Sequence, residues 1–199
     1  MAFVDDCHEL VFIHIPKTGG TSISTALIEA HGLEQKCKRD LAHEGVGGAV
    51  PKQFKPNGIT VHDRHCEIVE KYPQAKDYSS FCIVRNPWAR IYSFWQHKVR
   101  RGDKDIDTEA SFSECFRHNN VLLLQPQIWW MGEDTDVIKF EEMGEHLPVY
   151  LSEKGLDITL PHLNKTKEKK DYHSEYDEYS YSLIRDYYWR EIDLFDYQF

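Results

Sequence analysis

Lys17, Thr18, Thr21 and Ser22 surround the pair Gly19-Gly20, and residues of these types at this spacing can hold an anion. The apolar run Val11 to Ile15 precedes them and reads as a buried strand. Ile23, Ala26, Leu27 and Ala30 follow at i, i+3, i+4 and i+7, the stripe of a helix. A strand, a glycine turn and a helix start aim backbone N–H groups and the positive end of a helix dipole at one point. Lys17 adds a cation there, and the hydroxyls add donors.

A second cationic strand end lies further on. Ser80 to Val84 is another buried-strand pattern, and it runs into Arg85-Asn-Pro-Trp-Ala-Arg90-Ile-Tyr-Ser93. Pro87 suits the first turn of a helix. On that helix Arg90, Ser93 and His97 share one face while Ile91 and Trp95 share another. Arg85 leaves the strand as Ser93 comes round from the helix, so both can reach one anion; an arginine in an ion pair and a serine on a solvated face is the plainer reading of the same pattern. Between the two motifs, Ile59 to His62 is a short β-like run, with Asp63 placed to cap the helical stretch that continues to Tyr72. This sets His62 at a strand end, where open α/β sheets bind ligands, with His65 one turn further on.

These elements decide which phosphate chemistry fits. A triphosphate loop reads G-x-x-x-x-G-K-[ST], with lysine directly after the last glycine. Here Lys17 comes before Gly19-Gly20. Such a site also needs an acid at a strand end to help hold the metal, and the strand ending at Val84 gives way to Arg85 instead. Two anion-binding strand ends without a metal-site signal point to a ligand with phosphates at two separated points.

The rest of the chain supplies the frame. Its 199 residues suit one domain, 1–199, with a substantial core. The formal net charge is −9, of which residues 171–199 carry −6 from two basic and eight acidic side chains. An acidic total argues against broad nucleic-acid binding but not against an anionic ligand held at a local positive site. Five cysteines without a CxxC pair read as free thiols in a reducing compartment. With no membrane-length apolar run and no signal peptide, the expectation is a soluble, cytoplasmic protein. The glycine- and lysine-rich stretch 36–58 reads as a mobile substrate-side loop or as simple surface disorder. Pro161 to Lys170 reads equally as a cationic flap or a linker. Asp136 to Phe140 is a further strand, and Tyr176, Tyr179, Leu183 and Tyr187 are expected to share one side of a late helix.

His14-Ile-Pro-Lys-Thr-Gly-Gly-Thr-Ser22 resembles the 5′-phosphosulfate loop of sulfotransferases, in the form found in the carbohydrate and Golgi-type branch. Val84-Arg-Asn-Pro-Trp-Ala-Arg-Ile-Tyr-Ser93 resembles the 3′-phosphate motif R-[DN]-P-x-x-R-x-x-S of the same family. Leu160 to Thr166 and the terminal Ile192 to Phe199 also resemble family segments. The resemblance implies a three-layer α/β/α domain with a mostly parallel central sheet, akin to P-loop-containing nucleoside triphosphate hydrolases. It implies 3′-phosphoadenosine 5′-phosphosulfate as donor, adenosine 3′,5′-bisphosphate as product, and no metal. Lys17, Thr18, Gly19, Gly20, Thr21 and Ser22 would hold the 5′-phosphosulfate, and Arg85 and Ser93 the 3′-phosphate. Asn164 and Lys165 would lie near the nucleotide. His62 takes the place of the family's general base, with His65 in reserve, and Lys17 would stabilise the leaving phosphate. The acceptor would be a hydroxyl or amine of a glycan or small molecule. The rival classes are a nucleotide or small-molecule kinase and a non-catalytic nucleotide-binding protein. Golgi members carry a signal anchor and often disulfides, and neither is evident here.

Overall fold

The computed structural model describes residues 2–32, 58–118, 122–160 and 171–199. Most of the basic stretch 36–58 lies outside them, as do Asn164 and Lys165. In chain order the elements are β1 (Phe3–Asp5), β2 (Leu10–Ile13), α1 (Gly20–Ala30), α2 (His65–Lys71), β3 (Ser79–Val84), α3 (Pro87–Arg101), α4 (Phe112–His118), β4 (Asp136–Lys139), α5 (Met143–Glu153), α6 (Glu178–Tyr187) and α7 (Trp189–Leu194). The described residues group into two compact units: those of 1–84 with 130–165, and those of 85–129 with 166–199.

The first unit is built on a four-stranded sheet in the order β1-β2-β3-β4. β1 runs antiparallel to β2, with Phe3 opposite Phe12. β2, β3 and β4 are parallel, pairing Phe12 with Phe81 and Ile83 with Ile138. The expected mostly parallel α/β sheet is therefore present. Its middle strands read as unbroken apolar runs because both faces are buried. Leu10, Phe12, Phe81, Ile83 and Ile138 pack against Ile23, Leu27 and Ile28 of α1 and Leu147 and Leu151 of α5. Each such side chain taken from water contributes about 1.5–3 kcal/mol. Val11, Ile13, Cys82 and Val84, which point to the opposite face, are fully buried too. β1, only three residues long, gives no strand signal in the sequence.

α1 ends as its sequence predicts. The His31 and Gly32 N–H groups bond back to the Ile28 and Glu29 carbonyls, and Gly32 takes a left-handed φ of 66°. Ile59 to His62, in contrast, is not a strand. The Ala2 N–H reaches the Val61 carbonyl at 2.9 Å, but Asp63 turns the chain by accepting the Thr60 N–H at 2.9 Å and its hydroxyl. Asp63 is thereby taken from the helix it was expected to cap. α2 is capped instead by Glu67, which reaches back to the Arg64 N–H at 2.8 Å.

In the second unit, Trp88, Ile91 and Tyr92 of α3 pack with Phe112 and Phe116 of α4 and with Ile184 and Tyr188. Tyr179, Leu183 and Tyr187 share one side of α6, as expected, and Tyr176 precedes the helix. Tyr179 and Tyr187 are half exposed, while Ser180, Ile184 and Tyr188 are buried. The buried tyrosine hydroxyls explain the choice. Tyr188 donates to the Leu124 carbonyl at 2.6 Å, and Tyr176 donates to the Trp88 carbonyl at 2.8 Å, so these rings can enter the interior with their polar ends satisfied.

Candidate functional site

In the first unit the chain leaves β2 at Ile13 and enters α1 at Gly20. Lys17 and Gly19 both adopt left-handed φ, 71° and 83°. For Lys17 that conformation costs about 1–2 kcal/mol, and retained strain of this kind marks functional loops. Left-handed residues alternating with right-handed ones turn backbone N–H groups to one side, the geometry of an anion cradle. The Gly19 carbonyl accepts from Ser22 and Ile23 at 3.0 and 3.3 Å. The earlier N–H groups of Gly20 and Thr21 therefore stand before the first helical bonds, at the positive end of the 11-residue α1.

The side chains of the loop divide. Thr18 is wholly buried, and its hydroxyl donates to the Ile15 carbonyl at 2.9 Å; it braces the turn. Lys17 and Gly19 are half-buried, Thr21 is exposed, and Ser22 is nearly covered. Gly20 is required for space, since a Cβ there would fall on the His14 ring. A Cβ at Gly19 would lie 2.9 Å from Phe140.

His14, one of the residues that the sequence does not single out, organises this point. Its ring stacks on Phe12, with centroids 5.9 Å apart, and lies 4.6 Å from the His62 ring. Burial holds its imidazole well below the ordinary histidine range, and the neighbouring His62 pushes the same way. Its Nδ1 has no hydrogen-bond partner among the described residues. The His14 carbonyl meanwhile faces His62 Nδ1 at 2.9 Å. A carbonyl only accepts, so His62 Nδ1 carries the proton and His62 Nε2 carries the lone pair. His62 is exposed, and its own carbonyl is held by the Trp130 indole N–H at 3.2 Å. His62 thus stands one ring away from the first residue of α1.

His65 is arranged differently. Its N–H donates to the Trp130 carbonyl at 2.9 Å, and its ring packs on Gly132, where a Cβ would collide with Nδ1. Partial burial lowers its basicity, and Asp134 offsets part of that. The two histidines thus separate into one beside the cradle and one against the Trp130–Asp134 turn.

In the second unit the segment after β3 is a clamp. The Arg85 N–H donates to Gln127 Oε1 at 2.8 Å, and Gln127 Nε2 donates to the Arg85 carbonyl at 2.9 Å. Gln127 is itself held by Glu191, which accepts from its backbone N–H and, at 3.0 Å, from Nε2. Burial pushes the Glu191 carboxyl up, and Arg90 pulls it back. Asn86 caps α3 by accepting from Trp88 and Ala89 at 3.1 and 3.3 Å, and donates to the Gln198 carbonyl at 2.7 Å. Arg90 is wholly buried and donates to the Gln125 carbonyl at 3.1 Å. The face expected for Arg90, Ser93 and His97 is therefore not uniformly outward: Arg90 points inside, while Ser93 is half-buried one turn on. Arg90 falls within the quoted motif, but Gln127 and Glu191 had no signal of their own, because their partners are distant in the chain.

A strand, a left-handed loop and a helix N-terminus on a mostly parallel sheet define an α/β protein of the P-loop kind. Residues 1–148 match a family model described as "Sulfotransferase family", a span that includes both the Lys17 loop and the Arg85–Ser93 motif. The chain belongs to the sulfotransferase family. A crystal structure of a sulfotransferase from Alicyclobacillus acidocaldarius is similar at 16% identity over 96% of each chain, with a TM-score of 0.48. Comparison with curated proteins gives no match. Among the described residues no helix is long and apolar enough to cross a membrane.

Proposed function

We propose that this chain moves a sulfuryl group from 3′-phosphoadenosine 5′-phosphosulfate to a hydroxyl or amine of a carbohydrate or small metabolite, without a metal. The observation that carries this reading is the hydrogen bond from His62 Nδ1 to the His14 carbonyl, which leaves Nε2 as a base beside an anion cradle. The residues present fit the donor. Gly19 and Gly20 let the loop pack closely on Phe140 and His14, where a Cβ would collide, and Lys17, Thr21 and Ser22 have the chemistry to bind a phosphosulfate. Arg85 and Ser93 are assigned to the 3′-phosphate by the motif resemblance. Asn164 and Lys165 are assigned near the nucleotide by the same means.

The bound donor supplies an electrophilic sulfur and a phosphate leaving group. The protein's part is to orient and to move a proton. His62 Nε2 takes the proton of the acceptor as it attacks, a role suited to an imidazole that is neutral near pH 7. Lys17 and the N–H groups at the start of α1 meet the charge that develops on the leaving oxygen, and fixed donors of this type lower such barriers without reorganising.

Thermal-shift titration with adenosine 3′,5′-bisphosphate against ATP with Mg²⁺ tests the donor. The bisphosphate is expected to stabilise the protein more, with Lys17→Ala and Arg85→Ala each weakening the effect. Stronger stabilisation by ATP would favour a kinase, and unchanged shifts in both variants would refute the site. Mass spectrometry of the product distinguishes sulfate from phosphate, and tight bisphosphate binding without turnover on any acceptor would leave only a binding protein.

A further inference from the structure

A second constellation lies at the β1–β2 turn, made by residues that the proposed transfer does not use. Asp5 is the last residue of β1 and is fully buried. Its Oδ1 accepts the Cys7 N–H at 3.0 Å, which fixes the plane of the carboxylate. Its Oδ2 meets two imidazole nitrogens, His8 Nδ1 at 2.7 Å and His31 Nε2 at 2.8 Å. His8 follows in the turn, and His31 stands directly after the last residue of α1. The three ligand atoms all lie within 4.8 Å of one another, and both histidines are only partly buried.

We infer that Asp5 Oδ2, His8 Nδ1 and His31 Nε2 form a binding site for a first-row divalent transition-metal ion. Two imidazoles and one carboxylate are the donor set such ions take, with remaining positions left to water. The two O–N separations are hydrogen-bond lengths and lie within roughly 0.6 Å of a tetrahedral edge, about 3.4 Å for bonds of 2.0–2.1 Å. The rings therefore need only small rotations to admit an ion, and the partial exposure of both leaves a path for it. Without an ion these nitrogens donate to Asp5 Oδ2; on metal binding each imidazole carries its proton on the other ring nitrogen, and the two hydrogen bonds give way to two coordination bonds. A cation there would also offset a carboxylate that has been taken out of water. The Cys7 N–H on the other carboxylate oxygen is the outer partner that keeps a ligand oriented. The ion would tie the β1–β2 turn to the far end of the helix whose first residues form the anion cradle.

The inference stands apart from the sulfuryl-transfer reading, and its test reads binding. The full chain, freed of any histidine tag and stripped with EDTA, is titrated with Zn²⁺ by calorimetry. One saturable equivalent is expected. His8→Ala and His31→Ala should each weaken it at least about tenfold, since even outer-shell changes cost 10–100-fold, while His146→Ala, exposed on α5, should not. A wild-type chain without a saturable equivalent overturns the site, as does the same isotherm in both ligand variants. Carbethoxylation of the wild-type chain by diethyl pyrocarbonate, mapped by mass spectrometry, avoids any folding defect of a variant. Zn²⁺ should protect His8 and His31, and equal modification with and without Zn²⁺ would overturn the inference.

Discussion

His62 donates its Nδ1 proton to the carbonyl oxygen of His14 across 2.9 Å, while the two rings sit 4.6 Å apart. One residue is thus exposed and tautomerically fixed by the other, which is itself buried against the loop. Under the proposed mechanism, His62→Ala should lower kcat by about 10²–10⁴-fold while adenosine 3′,5′-bisphosphate still raises the melting temperature. His65→Ala should retain most activity. Steady-state kinetics with any competent acceptor decide this, and the reverse pattern would move the base to His65.

Gly20 should tolerate no side chain. In Gly20→Ala the new methyl meets the buried His14 ring, and overpacking of this kind costs about 1–3 kcal/mol. Gly144, early in α5 with nothing within 4 Å of a Cβ, is the control: Gly144→Ala should be neutral or stabilising by up to about 1 kcal/mol. Urea unfolding of both variants measures the difference.

His14 should make the fold sensitive to acid. Burial holds its folded-state basicity below that of the unfolded chain, so below about pH 6.5 the unfolded state takes up a proton that the native state refuses. Stability then falls as pH falls, by up to about 1.4 kcal/mol per pH unit for this one group. Above pH 6.5 both states are neutral at His14 and the effect vanishes. Melting curves at pH 5.5 and 7.5 should show a smaller loss in His14→Gln than in the wild type.

The clamp on Arg85 predicts a split between stability and binding. Gln127→Ala removes two bonds to the Arg85 backbone, each worth about 1 kcal/mol, and should reduce the stabilisation by adenosine 3′,5′-bisphosphate. Glu191→Ala strands the Gln127 N–H groups and removes the carboxylate that interacts with buried Arg90, so it should cost about 3 kcal/mol or more. Thermal melts with and without the bisphosphate separate the two effects, and an unchanged bisphosphate shift in Gln127→Ala would remove Gln127 from the positioning of Arg85.

The strands at Leu10–Ile13, Ser79–Val84 and Asp136–Lys139, the helix after Gly19-Gly20 and the helix opened by Pro87 were all legible locally. Their apolar runs, turn residues and caps act over a few positions. The run at Ile59 to His62 was misleading for an equally local reason. Three β-branched residues, Ile59, Thr60 and Val61, suggest a strand, but the Asp63 carboxylate takes the Thr60 N–H. Which side of α6 is buried was not legible, because a tyrosine suits either side of a helix in sequence, and the Leu124 and Trp88 carbonyls choose which rings go inside.

The sequence by itself determined the anion loop, the arginine that follows β3 and the family to which the chain belongs, because each is written in residue types a few positions apart. Only the tertiary structure decided that His14 fixes the tautomer of His62, that Thr18 braces the loop, that Gln127 and Glu191 clamp Arg85, and that Asp5 draws His8 and His31 together. Those relationships join residues as much as 64 positions apart. A hydrogen bond requires its partners within about 3 Å and in line, a condition on coordinates that no spacing along the chain expresses.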